Sequence, residues 1–370
     1  MKVENKAIKL LIVCTVPTER NGITNVIFNL LSAIDRSALR IGYVAINEPD
    51  DFYRKKLEDL GVTLHVVSRK LSAPLQYIKD LVKVAKGYDI MHVHGNSATM
   101  VLEMMAAKMA GVKVRAAHSH NTTCSMKKID TCSRPLFHAL CNLRFSCGKE
   151  AGKWLYGKRN FNIINNGIDC NIFAFNEADR LRIRKELGIN NEILIGHVGN
   201  FVEAKNHSYL IAVFKAVLDR GVDARLLLLG DGKLRKEIED QVHAFDIDDK
   251  VIFAGSVNNT NEYLSAMDMV VMPSIFEGLP LTLVEEQANG LSILASDVIA
   301  TDANMTGLVK YKSLDDSKKE WADEIIQILS DSKRDSNRSQ TAIKKIMEAG
   351  YDINLVTQDL VKCYKQSLEK

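Results

Sequence analysis

The sequence has no apolar stretch long enough to cross a bilayer. Its longest candidate, "ATMVLEMMAAKMAG" at 98–111, is interrupted by Glu103 and Lys108, so we predict no transmembrane helix. The N-terminal run "IKLLIVC" is short and leads into a loop rather than a cleavage site, which argues against a signal peptide. Hydrophobic residues make up 46% of the chain and charged residues 26%, a balance typical of globular proteins. We therefore expect a cytoplasmic protein.

Paired cysteine motifs are also missing. The chain has seven cysteines, an odd number, and none of them forms a C-x-x-C pair. In a long cytoplasmic chain such cysteines are reduced thiols rather than a disulfide framework. Four of them lie between positions 124 and 147, near His118, His120 and His138, which raises a zinc site as an alternative. Their spacings match no standard zinc motif, so we predict that the protein binds no metal.

The sequence has few aromatic residues, and its net charge of +3 conceals an asymmetry. Residues 1–187 hold 29 Lys and Arg against 17 Asp and Glu, a net of +12, and the remaining residues have a net of −9. A basic half suits an anionic partner. Proteins that bind single-stranded nucleic acid combine basic with aromatic residues, and aromatic residues are only 6% of this chain. We therefore predict no nucleic acid partner and expect peripheral association with an anionic membrane surface, on its inner, cytoplasmic face.

Buried strands and amphipathic helices alternate along the chain in two successive series. The first series begins with "IKLLIVC" at 8–14 and the second with "EILIGHVGN" at 192–200. This alternation predicts an α/β protein with two Rossmann-like domains, each built on a doubly wound parallel sheet. We place the domains at 1–187 and 188–350, and expect a final helix at 351–370 to pack back on the first domain. No G-x-G-x-x-G follows either first strand, which argues against a nicotinamide oxidoreductase.

One short segment, "SIFEGLPLTLVEEQANG" at 274–290, has the features of an anion site. Apolar residues recur there at helical spacing, so we expect a helix that begins near Pro280, where proline suits the first helical position. The N-terminus of such a helix attracts anions through its unpaired N–H groups and its dipole. Glu277 could accept hydrogen bonds from sugar hydroxyls, and Glu285, two turns into the helix, could hold a ribose. The alternative is an ordinary helix with two solvated acids.

Three further positions follow predicted strands, where ligands of parallel sheets bind. Gly22 lies in the loop after the first strand, where a glycine lets the backbone approach a phosphate; a plain turn glycine is the alternative. Lys205, in "FVEAKNH", is a flexible cation that could meet a diphosphate, although a lone lysine is usually a solvated surface residue. Gly230 ends the buried strand of "ARLLLLGDG", where a nucleotide could lie against the backbone.

Histidines occur in pairs near the ends of two predicted strands. His118 and His120 lie in "KVRAAHSH", and alternation places both on one face of the sheet. Either one could be a structural histidine with satisfied hydrogen bonds instead of a functional group. We interpret His92 and His94, on the preceding strand, as sheet residues.

In this layout the chain resembles the retaining GT-B glycosyltransferases of family four, which use nucleotide sugars to build cell-surface polysaccharides. Seven segments carry the resemblance, in the family's order and across nearly the whole chain: "NGITNVIFNL", "DIMHVHG", "AAHSHN", "NNGIDCNIF", "IGHVGNFVEAKNH", "LLLLGDGKL" and "SIFEGLPLTLVEEQANG". The resemblance implies a GT-B fold with a central cleft, an acceptor-binding first domain and a donor-binding second domain. It also implies a capsule or exopolysaccharide pathway, transfer with retention from a UDP-sugar to a lipid-linked or polysaccharide acceptor, and no metal or cofactor.

The resemblance further implies a set of site residues. The catalytic positions it indicates are His118, Glu277 and Lys205. The donor-binding positions are Gly22, Gly199, Asn200, Lys205, Gly230, Gly278, Leu279, Pro280, Leu281, Thr282 and Glu285. In this family a histidine at the position of His118 lies beside the donor sugar. The Asp-x-Asp in "FDIDDK" at 245–250, a metal signature of a different transferase fold, precedes a strand and is expected to be a loop.

Two positions depart from the family pattern. Asn200 stands where many members have an arginine that contacts the diphosphate, and Thr24 replaces a common glutamate. Three alternatives therefore stay open at this point: an epimerase or a phosphorylase of the same fold, or a protein that binds a nucleotide sugar without catalysis.

Overall fold

The computed structural model describes residues 7–277, 280–331 and 335–369. The chain forms two compact units: unit 1 comprises residues 1–167 and 350–370, and unit 2 comprises residues 168–349. Each unit contains a parallel sheet with helices between successive strands. The predicted α/β class and the two doubly wound sheets are therefore confirmed.

Unit 1 is built on a seven-stranded parallel sheet. Its strands are β1 (Ile8–Cys14), β2 (Leu39–Ala45), β3 (Thr63–Val66), β4 (Ile90–Gly95), β5 (Val114–Ser119), β6 (Leu143–Ser146) and β7 (Asn162–Ile163). Their order across the sheet is β3-β2-β1-β4-β5-β6-β7, so β1 lies between β2 and β4. Residues Leu10–Cys14 of β1 are fully or almost fully buried, which is why that segment is a continuous apolar run.

Six helices connect the strands of unit 1. They are α1 (Gly22–Ala33), α2 (Asp51–Asp59), α3 (Pro74–Ala85), α4 (Val101–Met109), α5 (Lys127–Leu140) and α6 (Lys149–Tyr156). Helix α1 begins at Gly22, which we predicted to lie in the loop after β1. Asn21 caps the helix there: its side-chain oxygen accepts a hydrogen bond from the amide of Thr24 at 3.0 Å.

Unit 2 is built on a six-stranded parallel sheet in the order β10-β9-β8-β11-β12-β13. Its strands are β8 (Ile193–Val198), β9 (Ala224–Leu229), β10 (Val251–Gly255), β11 (Met269–Met272), β12 (Ser292–Ser296) and β13 (Val309–Lys312). Its helices are α7 (Glu177–Glu186), α8 (His207–Leu218), α9 (Arg235–Ala244), α10 (Thr260–Ala266), α11 (Leu281–Ala288), α12 (Lys318–Asp331) and α13 (Ser336–Glu348). Strand β8 lies in the centre of the sheet, between β9 and β11. The loops after β8 and β11 therefore follow adjacent central strands.

A final helix, α14 (Ile353–Leu368), belongs to unit 1 although it follows unit 2 in the chain. It packs against α1 and β5. The fully buried Tyr364 contributes its hydroxyl to a hydrogen bond with Nδ1 of His92, at 2.6 Å, and its ring packs against Phe145 of β6. This helix therefore covers part of the sheet of unit 1.

The boundary between the units differs from the predicted one at 187–188. The chain passes into unit 2 between Gly167 and Ile168, so α7 belongs to unit 2. The reason is an ion-pair network: Arg180 and Arg184 of α7 both bond to the carboxylate of Asp268, at 2.5 and 3.2 Å. The charge asymmetry survives the correction, because unit 1 still has a net charge of +12 and unit 2 of −9.

Candidate functional site

Two of the predicted catalytic residues are in contact in unit 2. The ammonium group of Lys205 donates a hydrogen bond to Oε1 of Glu277 at 2.5 Å. Their side chains are only 17% and 12% exposed, so water screens this ion pair weakly. Glu277 also accepts a hydrogen bond from the hydroxyl of Ser274 at 3.0 Å. The sequence identified both residues but gave no indication that they are paired.

Backbone hydrogen bonds hold the two loops that carry this pair. Residues 203–205 form a turn of 3₁₀ helix after β8, and the carbonyl of Ala204 accepts a hydrogen bond from the amide of Ile275 at 2.8 Å. Asn206 adopts a left-handed conformation, with φ of 56°, and its side-chain amide donates to the carbonyl of Pro273 at 3.0 Å. Lys205 is therefore fixed to the loop that leads to α11, independently of its own ion pair.

The beginning of α11 lies next to Glu277 in the chain. The helix starts at Leu281, and Pro280 occupies the preceding N-cap position rather than the first helical position that we predicted. Proline has no side-chain hydrogen-bonding group, so among the described residues no side chain caps this end of the helix. The hydroxyl of Thr282 is buried and finds no partner among the described residues. The predicted positions Gly278 and Leu279 lie outside the described residues.

Two adjacent carboxyl groups lie further along α11. Glu285, predicted to hold a ribose, is partly exposed, and burial of its carboxyl raises its pKa to about 7. Glu286 is fully buried, and within the described part of the chain neither of its carboxyl oxygens has a hydrogen-bond partner. Burial raises the pKa of Glu286 well above its usual value, against the opposing effect of Lys205. Sequence reasoning did not single out Glu286, because two consecutive glutamates on a helix do not reveal which one faces inward.

The glycines of unit 2 allow its loops to approach one another closely. Gly230 has a φ of 139°, and a Cβ at this position would lie 2.1 Å from the carbonyl oxygen of Gly199. The amide of Gly230 donates a hydrogen bond to the carbonyl of Gly255 at 2.8 Å. The amide of Gly199 donates one to the carbonyl of Leu229 at 2.9 Å. The backbone atoms that lie close to Gly230 therefore belong to unit 2 itself. Asn200, which follows Gly199, is exposed.

The remaining predicted residues lie in unit 1. Gly22 is the first residue of α1, is exposed, and has no atom within 4 Å of the position that a Cβ would occupy. His118 lies in β5 and is fully buried, and burial lowers its pKa well below the usual value, so the ring is neutral. Neither of its ring nitrogens has a hydrogen-bond partner within the described ranges, although the nearby backbone of Ile164 opposes the lowering of its pKa. Its ring stacks on that of His120, at 4.3 Å between centroids.

The shifted pKa of Glu285 predicts how stability depends on pH. The carboxyl titrates near 4.5 when the chain is unfolded and near 7 when it is folded, so folding takes up a proton between these values. The folded state therefore loses stability as the pH rises through this interval. Glu285→Gln should remove the loss and be more stable than wild type at pH 8 by about 1–3 kcal/mol, but not at pH 4. Urea unfolding at several pH values measures the difference. Glu237→Gln, on the exposed part of α9, is the matched control, and an equal response of both variants would contradict the assignment.

Residues 179–345 match the family described as Glycosyl transferases group 1. The Bacillus subtilis protein named "Putative glycosyltransferase EpsF" is 30% identical to this chain over an alignment of 374 positions, and the alignment covers 95% of each protein. This chain is a group 1 glycosyltransferase. The resemblance found in the sequence motifs is thereby confirmed.

Two further relatives and one structure extend the comparison of this glycosyltransferase. The Staphylococcus aureus capsular polysaccharide biosynthesis glycosyltransferase CapH is 25% identical over 326 residues, which cover 84% of this chain and 85% of CapH. An Escherichia coli UDP-Gal:alpha-D-GlcNAc-diphosphoundecaprenol alpha-1,3-galactosyltransferase is 28% identical over 228 residues, covering 57% and 58% of the two chains. The crystal structure of Anabaena HepE in complex with UDP superposes with a TM-score of 0.80 at 17% identity, covering 97% of this chain and all of HepE. The glycosyltransferase therefore has the GT-B fold.

Among the described residues of this glycosyltransferase, no helix is both long enough and apolar enough to cross a membrane.

Proposed function

We propose that this glycosyltransferase moves a sugar from a UDP-sugar, with retention at the anomeric carbon, to a hydroxyl of a lipid-linked or polysaccharide acceptor. The contact between Lys205 and Glu277, next to the uncapped beginning of α11, carries the proposal. It brings a cation, an acceptor of hydrogen bonds and a helix N-terminus to one place, and these are the groups that a sugar diphosphate needs. The names of two relatives and neighbours support the choice of substrates, since one binds UDP and another uses a diphosphoundecaprenol acceptor.

In this proposal the groups of unit 2 stabilise the leaving group. The ammonium of Lys205 and the N-terminus of α11 compensate the charge that develops on the UDP diphosphate as the glycosidic bond breaks. Thr282 offers its unpartnered hydroxyl at the same helix end. Glu277 accepts hydrogen bonds from sugar hydroxyls, and Glu285 accepts one from the ribose. In this proposal no metal ion or cofactor contacts the diphosphate.

The acceptor's proton needs a base. Nothing in the motifs supplies an obvious one, and the departing diphosphate can itself take the proton when the acceptor oxygen attacks from the same side. We keep His118 as the third proposed catalytic residue, because its neutral ring can form a hydrogen bond with a sugar hydroxyl. A neutral imidazole suits this role because it both donates and accepts a hydrogen bond.

A donor screen tests this function. The protein is incubated with UDP-glucose, UDP-galactose, UDP-N-acetylglucosamine and their GDP counterparts, without acceptor, and the release of nucleoside diphosphate is measured. We expect slow hydrolysis of one UDP-sugar and faster release when a lipid-diphosphate-linked sugar is added. Binding of UDP without release under either condition would instead favour a protein that binds a nucleotide sugar without catalysis, the alternative that Asn200 raises.

We further propose that unit 1 brings the enzyme to an anionic membrane surface. Lys79 and Lys83 of α3 are exposed, and Leu75 on the same helix is 76% exposed, so that cationic and apolar side chains face solvent together. Ile129 of α5, 55% exposed, follows the exposed Lys128. Such a combination suits the headgroup region of an anionic bilayer.

Vesicle sedimentation measures this association. The protein should pellet with vesicles of phosphatidylglycerol at low salt and not with vesicles of phosphatidylcholine, and the binding should weaken as salt shortens the Debye length below about 8 Å. Replacing Lys79 and Lys83 together with glutamine should reduce binding severalfold, whereas replacing Lys236 and Lys233 of unit 2 should not. Equal sedimentation with both lipids would contradict the proposal.

A further inference from the structure

Four histidines converge on one face of the sheet in unit 1. His92 and His94 alternate along β4, and His118 of β5 is the register partner of His94. His120 follows β5 directly. The rings of neighbouring members lie 4.2–5.4 Å apart between centroids. The register of two parallel strands, rather than any sequence motif, brings these rings together.

The inner three rings are fully buried and incompletely bonded. His92, His94 and His118 have no exposed surface. Within the described residues, Nε2 of His92, Nε2 of His94 and both nitrogens of His118 have no hydrogen-bond partner. Buried polar atoms without partners are costly and rare, so four of them in one cluster point to a ligand that bonds to nitrogen.

The other nitrogens of two rings are already engaged. Nδ1 of His92 is hydrogen-bonded to the hydroxyl of Tyr364, at 2.6 Å, and Nδ1 of His94 is hydrogen-bonded to Nε2 of His120, at 2.9 Å. In histidine metal sites the nitrogen that does not bind the metal makes a hydrogen bond of this kind, which fixes the orientation of the ring. The arrangement leaves Nε2 as the available ligand atom on both rings.

We infer that His92, His94 and His118 form a binding site for a zinc ion. One ligand nitrogen from each ring lies within 4.8 Å of the others. Tetrahedral zinc with bonds of about 2.0–2.1 Å needs nitrogens about 3.4 Å apart, so binding requires a small movement that draws the three rings together. Three neutral imidazoles without a carboxylate or thiolate suit zinc and not magnesium or calcium, which require oxygen ligands.

The three proposed zinc ligands belong to unit 1, whereas the groups that meet the diphosphate in the proposed function belong to unit 2. The zinc site shares one residue with that function, because His118 is the ring proposed to contact the sugar. The binding measurement below has no activity readout, so its result is independent of whether the proposed transfer reaction is correct. His120 is the one member of the cluster that is partly exposed, and it offers a path for the ion.

Equilibrium dialysis of the chelator-treated full chain against zinc tests the site. We expect one zinc ion per chain, with affinity lowered at least tenfold in His92→Gln and in His94→Gln. His243→Gln, an exposed histidine on α9, should bind zinc as wild type does. Tyr364→Phe should weaken binding by about 10- to 100-fold, because it removes only the group that orients His92. Circular dichroism checks that each variant is folded.

Cobalt substitution distinguishes this site from the cysteines. Cobalt bound by three imidazoles should give visible absorption without the near-ultraviolet charge-transfer band that thiolate ligands produce. No stoichiometric zinc binding, an unchanged affinity in both histidine variants, or a strong thiolate band in wild type would each overturn the inference.

Discussion

Lys205→Ala should give a folded protein that has almost no transferase activity and binds UDP about one to two orders of magnitude more weakly than wild type. Losing a hydrogen bond to a charged group costs about 1.5–3 kcal/mol, which corresponds to this loss of affinity. The structure adds a reason why no neighbour compensates. Asn200 is exposed and uncharged, so the segment "GHVGNFVEAKNH" contains no Lys or Arg besides Lys205.

Calorimetric titration with UDP measures the effect. Lys236→Ala is the matched control, because Lys236 forms an exposed ion pair with Asp240 on α9. Asn200→Arg should tighten UDP binding, since arginine can bond to a diphosphate through two N–H groups. If Lys205→Ala binds UDP as tightly as wild type, the diphosphate lies elsewhere and the assigned site is wrong.

The ion pair predicts a second consequence that separates binding from stability. Lys205→Ala leaves the carboxylate of Glu277 largely buried and without its cation, which should lower stability by about 1–3 kcal/mol. Removing both charges in Lys205→Ala with Glu277→Gln should recover part of that stability without recovering UDP affinity. A double variant that regains both would show that Lys205 acts only through the fold.

Glu277→Gln should reduce kcat by about 100-fold while UDP affinity stays the same or rises severalfold. The substitution replaces an oxygen that would accept bonds from the donor sugar at the reacting centre, a loss of roughly 2.7 kcal/mol in transition-state stabilisation. It also releases Lys205 from its partner at 2.5 Å, so the ammonium becomes more available to the diphosphate. The first effect lowers kcat and the second acts on UDP affinity, so measuring both quantities separates the two roles of Glu277.

Steady-state kinetics with the donor identified by the screen, together with UDP titration, tests this prediction. Glu239→Gln, which loses an exposed ion pair with Arg235, should behave as wild type. Unchanged turnover in Glu277→Gln would exclude a contact between this residue and the reacting sugar. A large loss of UDP affinity would instead mean that the ion pair with Lys205 is needed to shape the diphosphate site.

Much of the architecture could be predicted because buried parallel strands are continuous apolar runs. The segments at 8–14 and 192–200 begin the two series, and β1 and β8 lie in them. The shortest strands, such as β7 with two residues, were not predicted, because so short a segment has no periodicity. The domain boundary was misplaced for a related reason. The helical pattern of α7 does not indicate which unit it joins. In the structure the arginines of α7 reach Asp268, and Ile183 packs into the core of unit 2.

In the candidate site, too, the sequence predicts individual residues but not the contacts between them. Motifs in the sequence identified Glu277 and Lys205. Their contact depends on how two loops pack together, because the two residues are 72 positions apart in the chain. The buried Glu286 carries no distinguishing pattern beside Glu285. The histidine cluster depends on cross-strand register, which a single sequence does not contain, and His92 and His94 were therefore interpreted only as sheet residues. Local pattern thus predicts elements, and pairing between elements has to come from the structure.

The position of α14 bears on the order in which a ribosome can complete this fold. Unit 1 needs Tyr364 and its helix, but these residues are synthesised after the whole of unit 2. Translation therefore produces unit 2 in one uninterrupted piece, while the sheet that was made first still lacks part of its cover. In a nascent chain the imidazole of His92 and the ring of Phe145 have no tyrosine to pack against until that late segment emerges. The N-terminal unit starts first and finishes last, which lengthens the interval in which a chaperone can bind its unfinished face.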